Sequence, residues 1–398
     1  MSFVPKLLAL LRPALPSCVA VLVFASIVTS AQRVSPNIIV PSSSIERAED
    51  IGRRVHTMHV IRVGVIPAAG SSTETPQSLR ALYKLPSTGG SGTIAIVGAF
   101  HYPTAQNDLN VFSKRFGLPA CTTANGCFKV VYAAGTKPPT DCGWAQEAAL
   151  DTQWAHAMAP KAKIVLVEAA SNSLVDMFKA VDVATSIVTT GGKRGQVSMS
   201  WGTSEFAGQS AYNAHFQNTG VVYFAASGDM GGITSYPSVS PYVVSAGGTS
   251  IQRSSSGAFL REVAWSDSGG GRSRYEPKPS YQNNVGGTSA TKRSSPDLSF
   301  NADPNSGVFV YDSTSCGDIR GWLVFGGTSV SAPSLAGIVN LAGQVRSSSS
   351  SELSLIYANR KNPSSFRDIT SGSAGAFTAH GGYDFVTGVG SNQGLTGK

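Results

Sequence analysis

An α/β fold, with a parallel sheet covered by helices on both faces, is predicted by three features of this 398-residue chain. Apolar strand-like runs alternate with helix-forming segments between Thr93 and Ala246, the pattern of a sheet built from crossover units. Runs such as Thr93 to Ala99 (TIAIVGA) and Ala162 to Glu168 (AKIVLVE) are apolar almost throughout, as strands buried on both sides should be. The chain is also 41% hydrophobic with 14% charged residues, enough apolar material for one large core. Its 43 glycines imply many turns and close backbone contacts.

At the amino end, Lys6 and Arg12 precede an apolar run from Pro13 to Val28 and then Thr29-Ser30-Ala31. Residues 1–31 are therefore expected to be a secretory signal peptide, with a retained anchor as the alternative. The run is short for a spanning helix. Residues 32–74 show little periodicity and are expected to be a short pro-segment or linker. A single catalytic domain is expected over residues 75–398, beginning with a short helix at Pro76 to Tyr83.

The strand at Thr93 to Ala99 follows, and Phe128 to Tyr132 is a second. Gly143 to Ala159 is predicted as a helix, Ala162 to Glu168 as a strand, Leu174 to Val188 as a helix and Gln196 to Trp201 as a strand. Ala211 to Asn218 should be helical; Val221 to Ala226 and Tyr242 to Ala246 should be strands. Ser200-Trp201-Gly202 and Ser227-Gly228-Asp229 then fall at carboxyl ends of strands, where function collects in open parallel sheets. The Gly- and Ser-rich stretch 247–318 is expected to form extended substrate-facing loops, and Ser347 to Ser351 a surface connection. Val330 to Gln344 has the pattern of a buried helix.

Cys18 would leave with the signal, and Cys121, Cys127, Cys142 and Cys316 remain, an even number suited to two disulfides after export. Cys121 and Cys127 flank a short loop and are the favoured pair, which leaves Cys142 with Cys316. The net charge of +8 comes from scattered basic residues and short pairs such as Arg53-Arg54, so nucleic-acid binding is not expected.

The chemistry centres on Phe325-Gly-Gly-Thr-Ser329-Val-Ser-Ala-Pro333, where Ser329 precedes the buried helix. A serine there meets free backbone N–H groups and the positive dipole end, either as a nucleophile beside a ready oxyanion site or merely as a helix cap. On the helix at 143–159, Glu147 and Asp151 are the only carboxylates, four residues apart on one face, with no Lys or Arg and with Trp144, Leu150 and Trp154 around them. An ordinary solvated face is one reading. The other is a coupled carboxyl dyad, one member of which takes and returns a proton in acid. Of the six histidines, His156 on the same helix is the one considered as an alternative base. Asp229 closes a glycine-rich turn and is either turn chemistry or, when protonated, a donor to an oxyanion.

Taken in order, TPQSLRALY, the ExxxD helix with APKAKI, SWG, ASGD, SYPSVSPYVVSAGGTS, EVAWSDSGGGRS, PKPSYQ, SSPDLSFNADP, GGTSVSAP, RDI and GYDFVTGVG resemble the sedolisins, serine-carboxyl peptidases of subtilisin-like fold. The resemblance runs from about Thr75 to the carboxyl terminus. It implies Ser329 as nucleophile, Glu147 as general base and acid, Asp151 as the acid that orients and tunes Glu147, and Asp229 as oxyanion stabiliser. It also implies a structural Ca²⁺ site built from the carboxylates of Asp368 and Asp384 and the carbonyls of Ile369, His380 and Gly382. The implied protein is a secreted, acid-active endopeptidase acting as a monomer on proteins or peptides, without stable membrane association once the signal is gone. The alternatives are a histidine-dependent subtilisin-type protease and a non-catalytic binding protein on the same fold. The segment between signal and domain is too short for the folded pro-domain typical of the family.

Overall fold

The computed structural model describes residues 1–3, 37–64, 73–317 and 319–398, so the signal-like stretch lies, past its first three residues, outside the described residues. The predicted strands do form one sheet. In chain order the strands are β1 (Ile38–Ile39), β2 (His56–Thr57), β3 (Val60–Arg62), β4 (Thr93–Ala99), β5 (Phe128–Tyr132), β6 (Lys163–Ala169), β7 (Gly195–Met199), β8 (Trp201–Ser204), β9 (Val221–Ala226), β10 (Ser235–Tyr236) and β11 (Val244–Arg253). They continue as β12 (Phe259–Ala264), β13 (Gly271–Pro277), β14 (Lys292–Ser295), β15 (Leu298–Asn301), β16 (Val308–Asp312), β17 (Gly321–Gly326), β18 (Phe366–Arg367), β19 (Ser373–Ala374), β20 (Phe377–Thr378) and β21 (Ser391–Asn392). The main sheet has the order β18-β21-β15-β11-β9-β7-β4-β6-β5, parallel from β21 to β5.

Helices α1 (Pro76–Leu82), α2 (Ala105–Arg115), α3 (Cys142–Met158), α4 (Leu174–Thr189), α5 (Ser331–Leu341) and α6 (Ser349–Ala358) cover it. Alternate residues of each strand feed opposite cores, as the pleat requires. Ile94, Ile96, Ile164 and Leu166 pack with α1, α2, α3, α5 and α6, whereas Ala95, Val97, Val165 and Val167 pack with α4. Thr75 caps α1 in a reciprocal capping box with Ser78, and Asp141 caps α3 by accepting from Trp144 N–H. Both disulfides form as favoured: Cys121–Cys127, and Cys142–Cys316 across 174 residues.

Three expectations change. The stretch 247–318 is not a set of loops, because it carries β12 to β16, with Leu298–Asn301 fully buried as a central strand of the main sheet. Serines and glycines serve there because neighbouring backbones approach closely: a Cβ on Gly247 would stand 2.6 Å from Pro296. The serine tract near 348 is the start of α6, where Ser348 caps the helix and the buried Ser349 accepts the Tyr223 N–H. The predicted strand to Trp201 breaks at Ser200, and β8 departs from the main sheet to pair with β2 and β10.

Residues 37–64, expected to be pro-segment or linker, pack inside the same compact unit as the rest, Pro36–Lys398. Their strands are added to β8 and β17. Among the described residues no helix is long and apolar enough to cross a membrane.

Candidate active site

Ser329 lies between β17 and α5, one residue before the N-cap Val330, and does not cap the helix. Its Oγ instead donates to Glu147 Oε2 at 2.9 Å. Glu147 and Asp151 project from the same face of α3, which packs against α5, and Ser329, Glu147 and Asp151 are 0%, 1% and 1% exposed. A helix buried on every side from Trp144 to Met158 leaves its two acids no water to face.

Burial therefore pushes Glu147 up to about 8, against the hydrogen bonds from Ser329 and Met58 N–H that favour its charge. Asp151 is raised well above the carboxylate range by burial and then by the charge of Glu147. Glu147 Oε2 accepts from Ser329 Oγ, from Met58 N–H at 3.2 Å and from His59 Nδ1 at 2.8 Å, while Oε1 is buried without a partner. Oε2 is thus the atom placed to accept the Ser329 proton.

Asp229 follows β9 in a turn closed by Thr328. The Thr328 N–H and hydroxyl both donate to Asp229 Oδ1 at 2.8 Å, and Thr328 Oγ1 accepts from Gly228 N–H at 3.1 Å. Oδ2 is enclosed and has no partner, although the residue as a whole is partly open to solvent. Burial raises this carboxyl to about 8. A Cβ on Gly327, whose φ is +101°, would stand 2.5 Å from Oδ2 and 2.3 Å from the Met58 carbonyl oxygen, so only glycine lets these groups meet.

Two participants were not singled out from the sequence. Ser200 Oγ donates to Asp151 Oδ1 at 2.6 Å and its carbonyl faces Ser329 Oγ at 3.4 Å; the strand-end Ser-Trp-Gly was its signal. His59 is fully buried against Phe325 with ring centroids 5.3 Å apart, and burial lowers it to about 3, so its imidazole is neutral. Nothing local in the sequence marks it. His156 does not meet Ser329: its Nε2 bonds the Pro119 carbonyl at 2.9 Å and its Nδ1 is buried without a partner.

Of the residues expected to hold calcium, Asp368 and Ile369 follow β18, and His380, Gly382 and Asp384 follow β20. Asp384 Oδ2 accepts from His380 N–H at 3.3 Å, and Asp368 Oδ2 from Gly382 N–H at 2.9 Å. The His156, Cys121 and Cys127 cluster is no metal site, since both sulfurs are in a disulfide.

Over 286 residues the chain is 34% identical to kumamolisin of Bacillus sp. (strain MN-32), a match covering 63% of this chain and 49% of that protein. It is 34% identical over 176 residues to sedolisin of Pseudomonas sp. (strain 101), covering 39% of this chain and 28% of that protein. The chain is similar to members of the sedolisin family. It spans about half or less of the length of these curated relatives. No family model matches this chain. The solved structure of Pseudomonas sedolisin, a serine-carboxyl proteinase complexed with two molecules of pseudo-iodotyrostatin, matches with a TM-score of 0.68 over 81% of this chain and 96% of that one at 23% identity, which shows a shared fold. An S41 psychrophilic protease matches with a TM-score of 0.52 at 17% identity over 81% of this chain and 99% of that one.

Proposed function

We propose that this chain is an exported, acid-active serine-carboxyl endopeptidase. The observation that carries the proposal is the 2.9 Å hydrogen bond from Ser329 Oγ to a buried carboxylate oxygen of Glu147, with Asp151 behind it on the same helix face. Ser329 attacks a peptide carbonyl as its proton passes to Glu147 Oε2, and Glu147 then delivers that proton to the leaving amine. Asp151, held by Ser200, keeps the proton the two acids share, so the buried pair never carries two charges. The Ser329 N–H and a protonated Asp229 Oδ2 stabilise the oxyanion. Water then repeats the cycle on the acyl-enzyme.

The acid-active reading is supported by the raised Glu147 and Asp229 carboxyls. Asp229 is a proton donor in acid and loses that role as pH rises through about 8, while burial keeps one proton on the Glu147–Asp151 pair. Export is supported by the two disulfides and by the signal-like amino end. Calcium binding by Asp368, Ile369, His380, Gly382 and Asp384 is supported by the hard oxygen donors of two segments that meet where Gly382 N–H donates to Asp368 Oδ2. Bound there, the ion would supply structural cross-linking between residues 368–369 and 380–384.

The test is digestion of denatured protein across about pH 2 to 9, comparing the wild type with Ser329→Ala and Glu147→Ala. Acid activity lost in both variants is expected. Neutral activity surviving Glu147→Ala would transfer the base to a histidine and refute the proposal, and absence of activity after processing would leave a binding protein.

A further inference from the structure

The peptide that lies in the cleft is the chain's own. Ser329 N–H donates to the Met58 carbonyl at 2.9 Å. On the acyl side of the Met58–His59 bond, β2 pairs antiparallel with β8, His56 opposite Gly202 and Thr57 opposite Trp201, and Val55 N–H donates to the Asn172 carbonyl at 2.9 Å. On the amine side, β3 pairs antiparallel with β17, Val60 opposite Gly326 and Ile61 opposite Phe325. Residues 53–62 lie as an extended peptide lies on a sheet edge, so Met58 and His59 stand in for the two residues of a substrate that flank the bond at the serine. The His59 side chain then shows what the position on the amine side accepts. It is fully buried and stacks on Phe325, with ring centroids 5.3 Å apart and planes 23° apart. Nδ1 donates to Glu147 Oε2 at 2.8 Å, which leaves the ring's lone pair on Nε2, and Nε2 is buried without a partner. A proton added there would be a cation with an unanswered donor in an enclosed site. Gln146 and Asp312 favour that proton, yet burial outweighs them and holds the imidazole down to about 3. The pocket takes a flat ring and rejects positive charge.

We infer that this pocket selects the substrate residue on the amine side of the bond that is cut, taking an uncharged aromatic side chain, phenylalanine or tyrosine, ahead of aliphatic and basic ones, with Phe325 as the specificity-determining residue. The inference rests on the proposed peptidase reading. Histidine fits by shape, but its Nδ1–H occupies Glu147 Oε2, the oxygen that must take the Ser329 proton. A ring of carbon makes the same stack and leaves that oxygen to the serine. The strand that ends at the Gly326-Gly327-Thr328-Ser329 turn also carries Phe325, so the stacking surface and the nucleophile are held in one register. Stacking of two rings favours the aromatic residue over leucine by roughly 2- to 10-fold. Lysine has to bring its charge into an enclosure that already keeps an imidazole neutral, a loss on the order of 100-fold.

The experiment measures kcat/KM at about pH 4.5 for internally quenched peptides of one sequence that differ only in the residue after the cut bond: phenylalanine, tyrosine, leucine, histidine or lysine. The full chain and Phe325→Leu are compared, and mass spectrometry locates each cut. For the wild type, phenylalanine and tyrosine are expected roughly 2- to 10-fold above leucine, and lysine about 100-fold below phenylalanine. The histidine peptide starts below phenylalanine, and its ratio to phenylalanine is expected to rise with pH up to about 6.5, as free imidazole loses its proton. Glu147 on α3 and Asp312 on β16, the titratable groups facing the ring, are common to every peptide, so that ratio reports the ring alone. In Phe325→Leu the advantage of phenylalanine over leucine is expected to shrink to within about twofold, with lysine still rejected. Should that variant fail to fold, the peptide series on the wild type decides the matter by itself. Leucine or lysine peptides cut as fast as the phenylalanine peptide would overturn the inference alone, as would an undiminished aromatic advantage in folded Phe325→Leu. Failure to cut any peptide would overturn the peptidase reading and this inference with it.

Discussion

Replacing Asp229 with asparagine or alanine separates a donor from a charge. In the native site Oδ1 is saturated by the Thr328 N–H and hydroxyl, both at 2.8 Å, so only Oδ2 is left to act. That atom is enclosed, has no partner and faces the space that also holds the Met58 carbonyl oxygen. With the carboxyl raised to about 8, chiefly by burial and to a lesser extent by the charges of Glu147 and Asp267, Oδ2 carries a proton in the acid range. Asparagine keeps an acceptor for Thr328 and puts an N–H in place of the O–H, whereas alanine removes both. Loss of one oxyanion donor costs roughly 10²- to 10³-fold in kcat, about 2.7–4 kcal/mol of barrier. Asp229→Ala is therefore expected to fall by that factor, and Asp229→Asn to stay within about tenfold of wild type, since its donor remains. The sign with pH follows: wild-type kcat falls as Asp229 deprotonates near 8 in the filled cleft, and Asp229→Asn removes that component of the alkaline limb. The assay is kcat and KM on an internally quenched peptide from about pH 3 to 9. An Asp229→Asn enzyme as impaired as Asp229→Ala would refute the donor role, and so would an Asp229→Ala enzyme within a few-fold of wild type.

Further outcomes follow from the same burial. In Ser329→Ala, the raised Glu147, Asp229 and Glu352 (to about 7) contribute stability that is complete below their unfolded values near 4 and is lost as pH rises through 7 to 8. His59 and His156, lowered to about 3 and about 4, oppose this only below their unfolded value near 6.5, and Lys398, lowered to about 7, opposes it from above. Tm is thus expected to fall between about pH 6.5 and 8, where the carboxyls outnumber the single lysine, and a Tm rising over that window would contradict the protonated site. Treating calcium-loaded protein with EGTA should lower Tm and expose the 380–384 loop to proteolysis, while Asp384→Ala should lose the response; an unchanged Tm would argue against the ion.

The fold class was legible because its signals are local. Thr93–Ala99, Phe128–Tyr132 and Val221–Ala226 coincide with the predicted strands, since an unbroken apolar run bounded by polar turns leaves little choice of element. The acids of α3 were legible for a similar reason: helical periodicity alone puts Glu147 and Asp151 on one face. The stretch 247–318 was misread because its serines and glycines resemble a loop in isolation. Their strand identity depends on Ser299 and Asn301 finding partners in neighbouring strands.

Pairing and enclosure are matters of distance through space, and here the sequence was silent. Residues 147 and 329 lie 182 apart along the chain yet share a hydrogen bond, which exists because α3 packs on α5. His59 and Ser200 became visible only once their partners were in place. The sharpest case is the segment 53–62, whose residues carry no signal beyond mixed polarity. An extended backbone offers the same N–H and C=O groups whatever its side chains, so its place in the cleft is set by the unpaired edges of β8 and β17 and the loop after β6. Residue types determined the chemistry this chain can carry; tertiary packing decided which serine meets which acid, and which of its own peptide bonds stands before them.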